Sequence, residues 1–149
     1  GPDSFLSVAD AEKPGMIPLA QALDALGYTI YATIGTGTVL RGAGIRCRAL
    51  FRISEGRPNA LDLMNDSELQ WIVNIPSGAA PQRDELKIRT EAIRRGIPIT
   101  TTLRGLQSAV EGLQRLKVLK RCEVLSLQEY DRRTHPRRRQ RPRPAATKA

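Results

Sequence analysis

A chain of 149 residues, 40% of them hydrophobic, is long enough for one domain with a buried core. No apolar run reaches the roughly 18 residues that a membrane span needs, and no charged start, apolar stretch and small-residue cleavage site mark a secretory leader, so a soluble cytoplasmic protein is expected. The net charge of +9 sits at one end: Arg132 to Ala149 hold seven arginines, one lysine and no acid, whereas residues 1–131 hold 16 bases against 15 acids.

In chain order, Phe5-Leu6-Ser7-Val8 predicts a first short strand. Met16, Leu19, Ala20, Leu23 and Leu26 then recur at helical spacing until Gly27 supplies a stop. Pro14 and Pro18 place the start of that helix near Gly15, because proline is tolerated in the first turn, where its missing N–H has no partner to lose. A second strand from Tyr28 to Ala32 runs into Thr33-Ile34-Gly35-Thr36-Gly37-Thr38, which opens a short helix ending near Gly42 or Gly44.

Arg48 to Ile53 reads as a third strand, followed by a loop from Ser54 to Pro58 and a short helix from about Ala60 to Asn65. Leu69 to Val73 is a fourth strand, closed by the turn Asn74-Ile75-Pro76-Ser77-Gly78. The helix from about Pro81 to Arg95 carries Asp84 and Glu85 in its first turn and Arg94 and Arg95 in its last, with Gly96 just beyond, all matched to the helix dipole. Ile97 to Thr101 predicts a fifth strand, and Leu106, Val110, Leu113 and Leu116 mark a helix from Leu103 to Leu116. Glu123 to Leu127 is a candidate extra edge strand. From Arg132 on, Pro136, Pro142 and Pro144 stand among arginines with little apolar surface to offset the ordering entropy, so residues 1–131 are expected to form the domain and 132–149 a disordered basic tail. Such a tail can attract RNA or a membrane surface through charge alone, but its plain reading is a solvated extension, and neither nucleic acid nor a membrane is the expected partner.

Short apolar strands separated by helices belong in a parallel sheet covered on both faces. The expected fold is therefore α/β, a Rossmann-like three-layer α/β/α sandwich around a central five-stranded parallel sheet. Ligands of such sheets bind beyond the carboxyl ends of the strands. That rule gathers Ser7 with Lys13, Thr33 with Gly35 and Thr36, Arg52, Asn74 with Ser77, and Thr100 with Thr101 on one rim. The two Gly/Thr/Ser turns offer backbone N–H groups and hydroxyls to a phosphate, and Lys13 and Arg52 offer charge. This is an inventory for binding. The acids Asp10, Glu55, Asp62 and Asp84 read equally well as turn, cap or surface residues, so no catalytic residue is expected.

Cys47 and Cys122 match no metal-ligand spacing, and the one histidine, His135, lies in the tail. Reduced core thiols and no metal site are expected. The start at Gly1-Pro2 and the internal Met16 and Met64 point to a piece of a longer chain.

Several motifs share one resemblance. Phe5-Leu6-Ser7-Val8-Ala9-Asp10 with Lys13, Tyr31-Ala32-Thr33-Ile34-Gly35-Thr36, Glu55-Gly56-Arg57-Pro58-Asn59 with Leu61-Asp62, Asn74-Ile75-Pro76-Ser77-Gly78, and Ile88-Arg89 through Gly96-Ile97-Pro98 to Thr101-Thr102-Leu103 occur in this order. Together they closely resemble the C-terminal regulatory domain of the carbamoyl-phosphate synthase large chain. The resemblance covers residues 4 to about 130 and includes Ser126-Leu127-Gln128-Glu129-Tyr130, which looks like that family's usual end.

The resemblance implies a methylglyoxal-synthase-like fold and allosteric control in place of turnover, with no cofactor in this domain. UMP or IMP is the implied effector, its phosphate held at positions matching Ser7, Lys13, Thr33, Thr36 and Asn74 and by a basic residue at Arg52. On other domains the large chain makes carbamoyl phosphate from bicarbonate, glutamine-derived ammonia and ATP with magnesium, for arginine and pyrimidine synthesis. Those synthetase domains and a glutaminase small chain are the implied partners. Asn74-Ile75-Pro76 lacks a hydroxyl that some members carry there. Ile99-Thr100-Thr101 lacks the acid of ornithine-responsive members, so ornithine activation is not expected. Methylglyoxal synthase itself, which eliminates phosphate from dihydroxyacetone phosphate, is the enzymatic alternative. It needs a histidine where this chain has Pro81-Gln82-Arg83 and a Gly-Gly-Asp loop where this chain has Glu55-Gly56-Arg57-Pro58.

Overall fold

A computed structural model of the chain describes residues 1–66, 69–78 and 82–134. Five strands, β1 (Asp3–Val8), β2 (Thr29–Thr33), β3 (Arg48–Leu50), β4 (Leu69–Ile75) and β5 (Ile99–Thr100), form one sheet in the order β3-β2-β1-β4-β5. All four pairings are parallel. Each crossover carries a helix, as parallel neighbours require: α1 (Lys13–Ala25), α2 (Ile34–Gly42), α3 (Ala60–Asp66) and α4 (Arg83–Arg95), with α5 (Leu103–Thr134) after β5. The expected α/β sandwich with a five-stranded parallel sheet is the observed one.

Successive strand residues point to opposite faces, and the core divides accordingly. Leu6, Val8, Trp71, Val73 and Ile75 pack with Met16, Ala20 and Leu23 of α1, Leu40 of α2, and Leu106 and Val110 of α5. Phe5, Leu69 and Ile72 pack on the other face with Ala60, Leu63 and Met64 of α3 and Ile88 and Ala92 of α4. Burying each large apolar side chain contributes about 1.5–3 kcal/mol, so the strand ends are held by apolar layers above and below.

Local differences from the sequence reading have physical causes. The first helix begins at Lys13, two residues before Gly15, because a 3-10 turn at Asp10–Glu12 leads into it. Pro14 occupies the first turn, and Pro18 lies inside the helix, where it forgoes a hydrogen bond to the Pro14 carbonyl. β3 ends at Leu50 and not at Ile53, since beyond it the chain keeps a single bridge from Phe51 to Asn59. α4 starts at Arg83 behind Gln82, whose N–H is accepted by Glu85 Oε2 at 3.0 Å, and Gly96 ends it with φ of 70°.

The candidate edge strand at Glu123 to Leu127 is helical, as part of α5. From Leu113 to Thr134 there is no glycine or proline, and leucine, lysine, arginine, glutamate and glutamine favour helix. Contacts divide the chain into two units, one from Gly1 to Gln114 and one from Arg115 on. In the second unit Leu119, Leu125, Leu127 and Tyr130 are exposed helix residues. Arg132 to Thr134, expected to be disordered, are the last described turn of α5. The rest of the expected disordered tail, including His135, lies outside the described residues. Cys122 is an exposed thiol on α5 and not a core residue; Cys47 is half-buried, its Sγ 3.6 Å from the Gly37 carbonyl oxygen. Among the described residues no helix is long and apolar enough to cross a membrane.

Candidate functional site

The carboxyl ends of β1, β2 and β4 and the chain leaving β3 surround a cavity of about 220 Å³. Ser7, Lys13, Thr33, Gly35, Thr36, Arg52, Asn74 and Ser77, expected at or just after the strand ends, all line it. Thr100 and Thr101 do not. Thr100 is at the sheet edge in β5, where its Oγ1 accepts the Trp71 indole N–H at 2.9 Å.

Parallel register explains the convergence. Ser7 of β1 is opposite Asn74 of β4, and β2 turns directly into α2 one residue after Thr33. Thr33 makes no side-chain cap to α2, so the first-turn N–H groups, including those of Gly35 and Thr36, have neither an intrahelical partner nor this cap. That helix end, with its partial positive charge, meets Lys13. A Cβ on Gly35 would stand 3.2 Å from Lys13 Nζ, so the missing side chain lets the ammonium approach the helix.

Lys13 is the most sheltered cation of the cavity, with a side chain 12% exposed, and it pairs with Asp10, whose side chain is 96% exposed. The hydrogen bond and the charge of Lys13, with a smaller contribution from Arg52, hold the Asp10 carboxyl below the usual carboxylate range. Arg52 is exposed at the mouth. Asp84 Oδ2 accepts the Ser54 N–H at 3.0 Å and the Ser54 hydroxyl at 2.6 Å, joining the loop after β3 to the first turn of α4. The hydroxyl bond is the main cause of a lowered Asp84 pKa.

Of the four acids noted from the sequence, Asp10 and Asp84 line the cavity, while Glu55 and Asp62 do not. Asp62 builds the neighbouring loop: it pairs with Arg57, and its Oδ2 accepts the Asn59 N–H at 2.9 Å. Asn59 in turn caps α3, its Oδ1 accepting the Leu61 N–H at 3.0 Å. The Glu55-to-Asp62 motif is thus loop architecture beside the cavity.

Two features escaped the sequence reading. The Ser54–Asp84 tie joins residues 30 positions apart, and no local pattern announces it. Arg89 of α4 donates from Nη2 to Asn74 Oδ1 at 3.3 Å. Its signal was its place on α4, directly after buried Ile88 and three residues before buried Ala92, at the margin of the buried stripe. In sum the cavity offers two cations, helix-end N–H groups, hydroxyls and the carboxamides of Asn74 and Gln82, with the acids Asp10, Asp84 and Glu85 also in its lining and Phe51, Ile53 and Ile88 as an apolar wall. Such a set can hold an oxyanion joined to a less polar group.

The family model described as the MGS-like domain matches residues 15–101. The C-terminal section of the carbamoyl phosphate synthase large chain from Aquifex aeolicus is 36% identical over 129 residues, covering 84% of this chain and 24% of that protein. The corresponding section from Methanopyrus kandleri is 39% identical over 115 residues, 76% of this chain and 21% of that protein. That from Methanocaldococcus jannaschii is 40% identical over 130 residues, 87% of this chain and 21% of that protein. The chain thus spans about a quarter or less of the length of these relatives. The crystal structure of ForH superposes with a TM-score of 0.53 at 19% identity, covering 76% of this chain and 80% of that one, a likeness of fold alone. The family match over most of the sheet, the parallel strand order and relatives sharing more than a third of their aligned residues agree: this chain belongs to the MGS-like domain family.

Proposed function

We propose that this domain is the regulatory module of a carbamoyl-phosphate synthase large chain and that its strand-end cavity binds a nucleoside monophosphate, UMP or IMP. The observation that carries this reading is Lys13, a sheltered ammonium beside the first turn of α2, its carboxylate partner Asp10 exposed and able to give way. A phosphate takes the place of the Asp10 carboxylate at Lys13 and accepts N–H groups of Gly35 and Thr36, with Ser7, Thr33, Asn74 and Ser77 around it. Arg52 adds charge at the mouth, and the nucleoside lies against Phe51, Ile53 and Ile88.

Occupancy of this cavity shifts the activity of the synthetase domains of the same chain, and by linkage the substrates of those domains shift effector affinity equally. There, ATP, magnesium, bicarbonate and ammonia from a glutaminase small chain give carbamoyl phosphate for arginine and pyrimidine synthesis. The domain itself binds and does not turn over.

Calorimetry with UMP and IMP tests the reading. Binding to the unaltered chain and a loss of about 1.5–3 kcal/mol in Lys13→Ala are expected, as for a hydrogen bond to a charged group. Silence with both nucleotides, or methylglyoxal formed from dihydroxyacetone phosphate, overturns it.

A further inference from the structure

Asn74 is 1% exposed, lies at the carboxyl end of β4 opposite Ser7, and lines the cavity. A carboxamide carries an acceptor on one side and two donors on the other, and its shape does not decide which meets a ligand. Arg89 decides it here. A guanidinium has donors only, so its 3.3 Å contact from Nη2 requires the Asn74 oxygen on the Arg89 side. The same guanidinium has a buried Nε without a hydrogen-bond partner, the one such side-chain atom found among the described residues. An orphaned buried donor on a charged group is costly, and such costs concentrate at functional positions.

We infer that Arg89 is a positioning residue for the cavity: by occupying Asn74 Oδ1 it presents the Nδ2 donors to the bound molecule, so that this position selects an oxyanion. The inference rests on the reading of the cavity as a phosphate receptor. Arg89 acts through Asn74 and does not line the cavity itself. α4 holds it in place, since Ile88 and Ala92 on either side of it are buried in the core.

The test combines UMP calorimetry with urea unfolding of Arg89→Met, Arg89→Lys, Asn74→Ala, Asn74→Asp and the double variant Arg89→Met/Asn74→Ala. Arg89→Met is expected to weaken UMP about tenfold, and to weaken it no further once Asn74 is alanine. Arg89→Lys, which keeps a donor, restores part of the affinity. Asn74→Asp keeps its oxygen pairing with Arg89 and unfolds no earlier than the unaltered chain, yet loses UMP because a carboxylate now faces the phosphate. If Arg89→Met does not fold, Arg89→Lys and Asn74→Asp carry the same comparison. Unaltered UMP affinity in Arg89→Met, or an equal loss with and without Asn74, overturns the inference and leaves the cavity reading intact. Absence of UMP and IMP binding in the unaltered chain overturns both.

Discussion

The side chain of Thr36 finishes the edge of β1: its Oγ1 accepts the Val8 N–H at 3.1 Å and donates to the Val8 carbonyl oxygen at 3.4 Å. β2 pairs with β1 only as far as Leu6 and Ala32, then turns into α2, so a hydroxyl from the helix continues the ladder. The same oxygen accepts the Thr33 hydroxyl at 3.2 Å. One donor and two acceptor sites are then used. Thr36 therefore shapes the cavity through its hydroxyl and has its N–H left for a ligand.

Replacing Thr36 by valine keeps the volume and removes the hydroxyl. Two buried polar groups of Val8 lose their partner, so Thr36→Val is expected to lose about 1–3 kcal/mol of stability in urea unfolding. Thr36→Ser retains the hydroxyl and should lose much less. Equal stability of Thr36→Val and the unaltered chain would show that the contact carries no weight.

Gly35 has an ordinary backbone conformation, so its value lies in the space it leaves for Lys13. Gly35→Ala places a methyl 3.2 Å from Lys13 Nζ and pushes the ammonium away from the helix end. The fold gains slightly from better helix propensity, by less than about 1 kcal/mol. UMP affinity measured by calorimetry falls while the thermal midpoint stays level or rises. Affinity and stability moving down together would point to simple disruption.

Glu91 supplies a pH dependence. It pairs with Arg94 and Arg95, which together hold its pKa at about 2 against an ordinary 4.5. Because the folded value is the lower one, the stabilisation is fully present above the unfolded pKa and fades as pH falls from about 4.5 toward 2. Arg95 also donates to the Met64 carbonyl at 2.8 Å, so the pair helps join α4 to α3. In thermal melts Glu91→Gln is expected to be less stable than the unaltered chain at neutral pH and to converge with it in this acid window. A constant difference down to the bottom of that window would refute the assignment.

The sheet was legible because its strands alternate with helices and their ends carry glycine. Gly27 and Gly96 mark stops that coincide with positive φ, and the rule that ligands lie beyond the strands' carboxyl ends gathers the eight cavity residues, although it also takes in Thr100 and Thr101, which stay outside. Contacts between distant segments were not legible. Asp84 reads as a helix-dipole acid, and its bond to Ser54 needs the fold to bring the two together. Arg89 reads as one more basic residue of a charged helix until β4 sets Asn74 beneath it. Glu123 to Leu127 misled because a short apolar alternation fits either period, and the strong helix formers around it settle the outcome.

Asp10 and Lys13 give the cavity a resident counter-ion. A phosphate that displaces it exchanges one anion for another, so the electrostatic gain on binding is a difference between two attractions and not the whole of one. On the proposed reading, the Asp10 carboxylate therefore holds the affinity of the cavity for a phosphate below what Lys13 without a partner would give.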